Sequence, residues 1–325
     1  MYFGYAAGLV NHPWTDTSLP VNLMLMQRSA RGICVWAPAK VNLFLEVLAR
    51  RPDGYHELAT LMTAVSLYDT LEFTEERSST AFGNEEGVTA LRCNAPSLST
   101  GPDNLICRAV EVVRRASGRS DGVGIRLWKR IPVAAGLAGG SSDAAATLAG
   151  LNSLWRLGWD RCKLMQLGAE LGSDVPFFFA APAAWCTGRG EQIEPLRLGR
   201  TLDLVLITPP VGLSTAEVFR GVTVPNEPRS GAAIRQAAAA GDVKELGRQL
   251  HNRLQPAAER LCPAVADLFA RLVSLGPAGQ LMTGSGSTVF ALCRNPGEAL
   301  SLARALTSAR DELGGARVFV VRSCH

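Results

Sequence analysis

The chain is poor in the residues that metal and nucleophile chemistry draw on. Only four histidines occur, at 12, 56, 251 and 325, and none stands at ligand spacing from a cysteine, so nothing supports a structural zinc site. The eight cysteines, at 34, 93, 107, 162, 186, 262, 293 and 324, contain no Cys-x-x-Cys pair. They read as reduced core residues and predict a cytoplasmic compartment instead of a disulfide framework. No serine or cysteine stands with a suitably placed histidine, which leaves Ser-His-Asp and Cys-His catalysis without support. A Walker A loop is missing because no Gly-Lys-Ser/Thr occurs. No Gly-x-Gly-x-x-Gly follows a strand, which disfavours a dinucleotide Rossmann enzyme. The basic residues form no block, and a net charge of +4 from 33 basic and 29 acidic residues gives no indication of nucleic acid. Residues 2–10 are apolar, but they lack a basic start and are broken by 11–16, so neither a signal peptide nor a membrane span is expected.

What is present is a globular composition. The 325 residues, 47% hydrophobic and 19% charged, suffice for two packed domains. Residues 1–30 are expected to be a tail, 31–185 a first domain and 186–325 a second. Alternation predicts strands at 34–48, 58–65, 67–73 and 123–128, with a shorter one at 88–93. In the first of these, Val41, Leu43, Leu45 and Val47 form the core face, and Lys40, Asn42, Phe44 and Glu46 lie on the other. Helical spacing marks 105–116, a helix closed by Gly172, and the stretches 231–250, 257–275 and 298–313. Strands at 202–208, 281–292 and 316–321 alternate with the later helices, so the fold class is α/β or α+β.

The chemistry gathers around 131–143. Three glycines and three alanines stand among the seven residues 134–140, directly ahead of an alanine-rich helix. Small residues let backbone approach an anion, and a helix N-terminus presents free N–H groups to it, with Ser141, Ser142 and Asp143 expected to supply N-cap chemistry. A polyphosphate is the expected occupant. Lys40, on the polar side of an apolar strand, needs a partner or snorkels at a sheet edge. Asp174, ahead of Val175-Pro176, is a helix N-cap or a catalytic carboxylate. Neither residue alone decides. Together with the loop they are the parts a phosphoryl transfer requires, a base for the acceptor hydroxyl and donors for the phosphate charge.

Five motifs occur in one order: Ala37-Pro-Ala-Lys40-Val-Asn-Leu-Phe-Leu, Arg51-Pro-Asp-Gly-Tyr-His-Glu57, the 131–143 loop, Gly172-Ser-Asp-Val-Pro176 and Thr283-Gly-Ser-Gly-Ser287. In this the chain resembles the GHMP kinase superfamily over about 34–321. Pro52-Asp-Gly-Tyr-His56 is similar to the branch that phosphorylates 4-diphosphocytidyl-2-C-methyl-D-erythritol in non-mevalonate isoprenoid synthesis. The resemblance implies a two-domain fold with the active site in the cleft between domains, ATP with Mg2+ as donor and that small molecule as acceptor. It implies Lys40 and Asp174 as the catalytic pair. Pro132, Val133, Ala134, Ala135, Gly136, Leu137, Ala138, Gly139, Gly140, Ser141 and Ser142 match the ATP loop, with Asn104 and Lys129 nearby. Tyr55 and His56 match base-recognising positions, Phe219 the opposite face of the base, and Asn42 and Thr215 further acceptor contacts. The magnesium ligands are not implied. Two departures stand out: Ala135 and Ala138 replace glycines of the most glycine-rich loops, and His251-Asn-Arg-Leu-Gln255 stands where many relatives carry Asn-Asp-Leu-Glu. A homoserine- or mevalonate-type kinase, or a non-catalytic relative, is the alternative.

Overall fold

Two long strands organise the molecule. The computed structural model describes residues 24–30, 32–76, 89–180, 182–309 and 311–324. Strand β1 (Leu25–Ser29) turns into β2 (Gly32–Arg50), which pairs antiparallel along its length with β3 (His56–Glu76). The first part of the expected tail is outside the described residues, but Met24 is buried and 25–29 are sheet, so the expected tail is already part of the fold at its C-terminal end. The expected pair of strands at 58–65 and 67–73 is one strand. Pro38 faces Tyr68 and Ala39 faces Val65, so Ser66 and Leu67 are extra residues in a bulge. The bulge resets the alternation and reads as a break.

After β4 (Thr89–Cys93), helix α1 (Leu105–Ser117) and β5 (Gly122–Trp128), the chain enters α2 (Gly139–Leu154), α3 (Arg161–Leu171) and the single turn α4 (Phe177–Ala180). It returns to the first sheet as β6 (Ala183–Gly188) and β7 (Gln192–Pro195). The expected boundary at 185/186 falls within β6. One half of β3 pairs with β5 and the other with β6. Ile33, Val35, Leu71 and Phe73 pack beneath the helices, and a Cβ on Gly150 of α2 would meet the Phe73 ring at 2.6 Å. That helix therefore lies directly on the sheet.

The second sheet is antiparallel, in the order β10 (Gly279–Met282), β11 (Val289–Cys293), β8 (Asp203–Thr208) and β12 (Arg317–Arg322). Strand β8 is buried throughout, because Leu204 and Leu206 face the first sheet's core while Val205 and Ile207 face the outer helices. The outer helices are α5 (Thr215–Arg220), α8 (Gln255–Leu261), α9 (Pro263–Leu275) and α10 (Pro296–Ser308), whereas α6 (Ala232–Ala240) and α7 (Val243–Gln249) pack with Leu204 and Leu206 on the inner face. The expected helix at 231–250 breaks at Gly241, whose φ of +71° suits only a C-cap, and that at 257–275 breaks at Cys262 ahead of Pro263. A two-residue strand, β9 (His251–Asn252), leaves this half to pair parallel with Phe44 and Leu45 of β2. Among the described residues no helix is long and apolar enough to cross a membrane, and all eight cysteines are free.

Candidate active site

A cleft of about 1290 Å³ runs between the halves, and residues of the 132–141 loop, the 40–60 strands, 173–190 and 215–224 line it. The side of β2 read as polar is not a solvent face: Lys40, Asn42, Phe44 and Glu46 are all buried. Lys40 and Asn42 open onto the cleft.

At one end Lys40 Nζ donates to Asn42 Oδ1 at 2.7 Å and lies 3.5 Å from Asp174 Oδ2. The lysine is 5% exposed and the aspartate 33%, so the pair sits at the cleft wall with the carboxylate outward. Asn42 is fixed in turn. Its Nδ2 donates to Thr60 Oγ1 at 2.8 Å, and its backbone N–H donates to Thr283 Oγ1 at 2.9 Å. The lysine thus has the partner its burial demands. Among the described residues no capping bond joins Asp174 to the helix after it; its partner is Lys40.

The glycine loop is sewn to the rest by its carbonyls. Lys40 N–H donates to Leu137 O, Thr288 N–H to Ala135 O and Leu213 N–H to Ala134 O. Gly136 needs its hydrogen: a Cβ there would lie 2.1 Å from Thr283 O, and one on Gly284 would lie 2.8 Å from Gly136 O. Two glycine turns, far apart in sequence, therefore touch backbone to backbone.

The expected N-cap role of Ser141, Ser142 and Asp143 is corrected. Helix α2 begins at Gly139, the cap position is Ala138, and no side chain caps it. Gly139 sits tight against Ile131 and Lys129 Nζ, which starts the helix early and drops the serines into its first turn. The first-turn amides still face the cleft without intrahelical acceptors. Ala138 has φ +53° and Ala134 φ +52°, so two alanines adopt the left-handed conformation, whereas Ala135 does not.

Lys129 borders the cleft, but its charge faces inward. Nζ bonds Asp69 and lies 2.9 Å from Asp143 Oδ2. Burial works against its ammonium, yet Asp143 and Asp69 hold its pKa above the ordinary lysine value. Burial pushes Asp143 up to about 7, against the pull of Lys129. Asp69 also accepts from the Arg130 and Ile131 N–H groups, so the triad anchors the approach to the loop. Asn104 similarly caps α1 through Ile106 N–H at 2.9 Å and donates to Ser99 O, with its side chain at the cleft edge.

At the other end the turn 51–55 presents Tyr55 and His56. Gly54 takes φ +83°, and Asp53 Oδ1 accepts from Tyr55 N–H at 3.1 Å. Tyr55 is 55% exposed, and the Arg189 guanidinium lies 4.9 Å from its ring centroid. His56 stacks on Phe219 at 5.2 Å, and burial with the charge of Arg50 lowers its pKa. Thr215 Oγ1 and Ser285 Oγ share a hydrogen bond of 2.8 Å. The structure brings every sequence-predicted site residue except Leu137 and Ser142 to the cleft lining. Sequence reasoning missed Arg189, Gly190 and Ser285. Gly188-Arg-Gly190 carries turn chemistry, but it lies close to the expected boundary at 185/186, which hides its place at the cleft.

Profiles described as GHMP kinases N terminal domain and GHMP kinases C terminal match residues 104–181 and 234–311. The chain is 44% identical over 262 residues to a 4-diphosphocytidyl-2-C-methyl-D-erythritol kinase of Pelotomaculum thermopropionicum, covering 80% of this chain and 88% of the relative. It is 41% identical over 293 residues to the enzyme so named from Brevibacillus brevis, covering 89% and 96%. A crystal structure of a 4-(cytidine 5'-diphospho)-2C-methyl-D-erythritol kinase superposes with TM-score 0.72 at 36% identity, covering 90% of this chain and 100% of the other. A homoserine kinase from Cytophaga hutchinsonii, at 18% identity and TM-score 0.68, shares the fold. With this likeness and the cleft geometry in agreement, the chain belongs to the GHMP kinases, in the family of 4-diphosphocytidyl-2-C-methyl-D-erythritol kinases.

Proposed function

We propose that the chain transfers the γ-phosphoryl group of ATP to the 2-hydroxyl of 4-diphosphocytidyl-2-C-methyl-D-erythritol, in the cytoplasm, as a step of isoprenoid precursor synthesis. The observation that carries this is the Lys40–Asp174 pair at 3.5 Å, set in the same cleft as the α2 N-terminus and Tyr55-His56. Asp174 orients the acceptor hydroxyl and takes its proton. Lys40, 3.5 Å from that carboxylate, stabilises the oxyanion as it forms. The loop 132–142 receives the donor phosphates through backbone N–H groups and the helix terminus. Asn104 and Lys129 support that loop from the nucleotide side. Tyr55, His56 and Phe219 hold the cytosine, while Asn42 and Thr215 contact the acceptor near the reacting end.

The donor set fits magnesium. Asp143 borders the cleft with an unpartnered buried Oδ1. Among the described residues no cluster of three or more His, Cys, Asp or Glu could hold a metal, so phosphate oxygens would supply most ligands. When bound, the ion neutralises charge on the donor phosphates.

ADP release coupled to NADH oxidation tests the reading. Purified protein is expected to turn over with this acceptor and not with homoserine or mevalonate. Asp174→Asn is expected to lower kcat by roughly 10²- to 10⁴-fold, with ATP affinity held within about twofold. Turnover of another polyol in place of this acceptor refutes the substrate. Unchanged kcat in the variant removes Asp174 from the mechanism.

A further inference from the structure

The proposed acceptor carries a diphosphate between its base and its reacting hydroxyl. That negative charge must pass along the cleft wall between Tyr55 and Asp174. The cations nearby are not equivalent. Lys40 is engaged by Asn42 and Asp174, and Lys129 by Asp69 and Asp143. Arg220, at the end of α5, is 74% exposed and leans on Glu217, and Arg50, at the end of β2, is exposed beside His56 at the base-recognition end.

Arg189 differs in three ways. Its guanidinium lies 4.9 Å from the centroid of the Tyr55 ring, which leaves the other ring face for a base. Its nearest carboxylate is Glu191, with Nε 3.9 Å from Oε1, which is outside hydrogen-bond reach. Among the described residues the guanidinium donates no hydrogen bond within the protein, although the side chain is only 34% exposed. It thus keeps its fork of donors available at a half-buried site.

The backbone places this group between the two ends of the cleft. Arg189 stands in the turn joining β6 to β7, where its N–H donates to Glu191 Oε2 at 2.6 Å and Gly190 N–H donates to Thr187 O at 3.1 Å. Gly188 has φ +72° and a Cβ there would meet the Glu191 carboxylate at 2.8 Å, so the turn is pinned. Gly190, with φ +111°, lies so close to Asp174 that an added Cβ would be 3.8 Å from Oδ1. One short turn therefore touches the proposed proton acceptor with one residue and the recognition tyrosine with the residue before it.

We propose that Arg189 is the specificity residue for the acceptor's diphosphate, braced on Tyr55 and presenting its paired N–H groups to the phosphate oxygens. This rests on the functional reading above. Guanidinium suits the task because its rigid fork matches two oxygens at once, whereas an ammonium offers a point charge.

Calorimetric titration of cytidine, CMP and CDP tests it, with the ATP site saturated by a non-hydrolysable analogue. In the wild type, affinity is expected to rise from cytidine to CDP. In Arg189→Met the cytidine affinity should stay within about threefold while CDP affinity falls roughly 10- to 100-fold, the worth of a charge-assisted contact. Arg189→Lys should recover part of the loss. In steady-state assays the loss should fall on the acceptor KM far more than on kcat, with the KM for ATP unmoved. Equal weakening of cytidine and CDP would overturn the proposal and leave Arg189 as a brace for Tyr55; no change in either would overturn it as well. A wild type that binds none of the cytidine ligands and makes no ADP with the acceptor would defeat the functional reading, and the proposal with it.

Discussion

Replacing Arg253 with methionine isolates the buried carboxylate that joins the two halves. Glu46 is fully buried in β2 and accepts five hydrogen bonds. Arg253 supplies two of them, at 2.7 and 2.8 Å, and the Val47 and Arg229 N–H groups and His251 Nε2 supply the rest. Burial pushes the Glu46 carboxyl up, but these donors outweigh it and bring its pKa from 4.5 to about 2. A folded value below the unfolded one contributes stability that is present above pH 4.5 and lost as pH falls through about 2. The shift corresponds to about 3 kcal/mol. Removing the arginine leaves the charge buried and largely uncompensated, so Arg253→Met is expected to cost about 3–5 kcal/mol at pH 8. In the variant, burial is less opposed and the Glu46 pKa rises, so protonation relieves the defect as pH falls. His251, whose pKa is lowered by burial and by Arg253 despite Glu46, also takes up a proton more readily once the arginine is gone. The deficit should therefore shrink steadily from pH 8 to pH 5. Urea unfolding of wild type and variant at those two pH values measures it. A deficit under about 1 kcal/mol at pH 8, or one independent of pH, would refute the reasoning.

Three further perturbations test the loop and its anchor. Gly136→Ala forces a Cβ to 2.1 Å from Thr283 O at φ +76° and is expected to abolish turnover and lower the melting temperature. Ala138→Gly relieves a left-handed alanine worth roughly 1–2 kcal/mol, offset by about 0.5–1 kcal/mol of glycine entropy, so melting should be unchanged or slightly raised. A tolerated Gly136→Ala or a damaging Ala138→Gly would contradict the backbone contact. Lys129→Met leaves Asp69 and Asp143 buried together and is expected to cost about 3–5 kcal/mol. Asp143 already has a folded pKa raised to about 7 from 3.8, so its proton stabilises the fold below 3.8 and that contribution is lost as pH rises through 7. Without the lysine the carboxyl pKa rises further, and chemical denaturation should show a smaller deficit at pH 5.5 than at pH 8.

Legibility in the sequence followed the range of the interactions. Strand β5, helix α1 and strand β8 were readable because alternation, helical spacing and a short apolar run are local signals. The bulge at Ser66 and Leu67 was not, since its cause is the partner strand, where Pro38 has no N–H to give. Lys129 illustrates the same limit at the site. Its position near the loop was visible, but Asp69, which holds it inward, is a long way upstream. Lys40 and Asp174 were grouped by resemblance, and only the fold puts them 3.5 Å apart. The departure at 251–255 gains a physical account as well: Arg253 is the partner of Glu46, and Gln255 Oε1 accepts from Met282 N–H at 3.0 Å. Both residues work in the scaffold.

The C-terminal half is therefore part of the proposed catalytic geometry and not only a wall of the cleft. Asn252 pairs with β2 through β9, and its Nδ2 donates to Met282 O at 2.7 Å and Gly284 O at 2.8 Å. This holds the 283–287 turn where Thr283 Oγ1 accepts from Asn42 N–H and Gly284 abuts Gly136. Asn42 then fixes Lys40, and the Lys40 N–H fixes Leu137 of the loop. Each contact is short and most are buried, so an error at one passes to the next with little relaxation. A phosphoryl transfer in which positioning supplies much of the rate needs such a chain, because the proposed base and the proposed phosphate cradle sit on separate segments. The Glu46–Arg253 pair lies one residue from Asn252, which makes the buried charge cluster the point at which the second half is registered against the first.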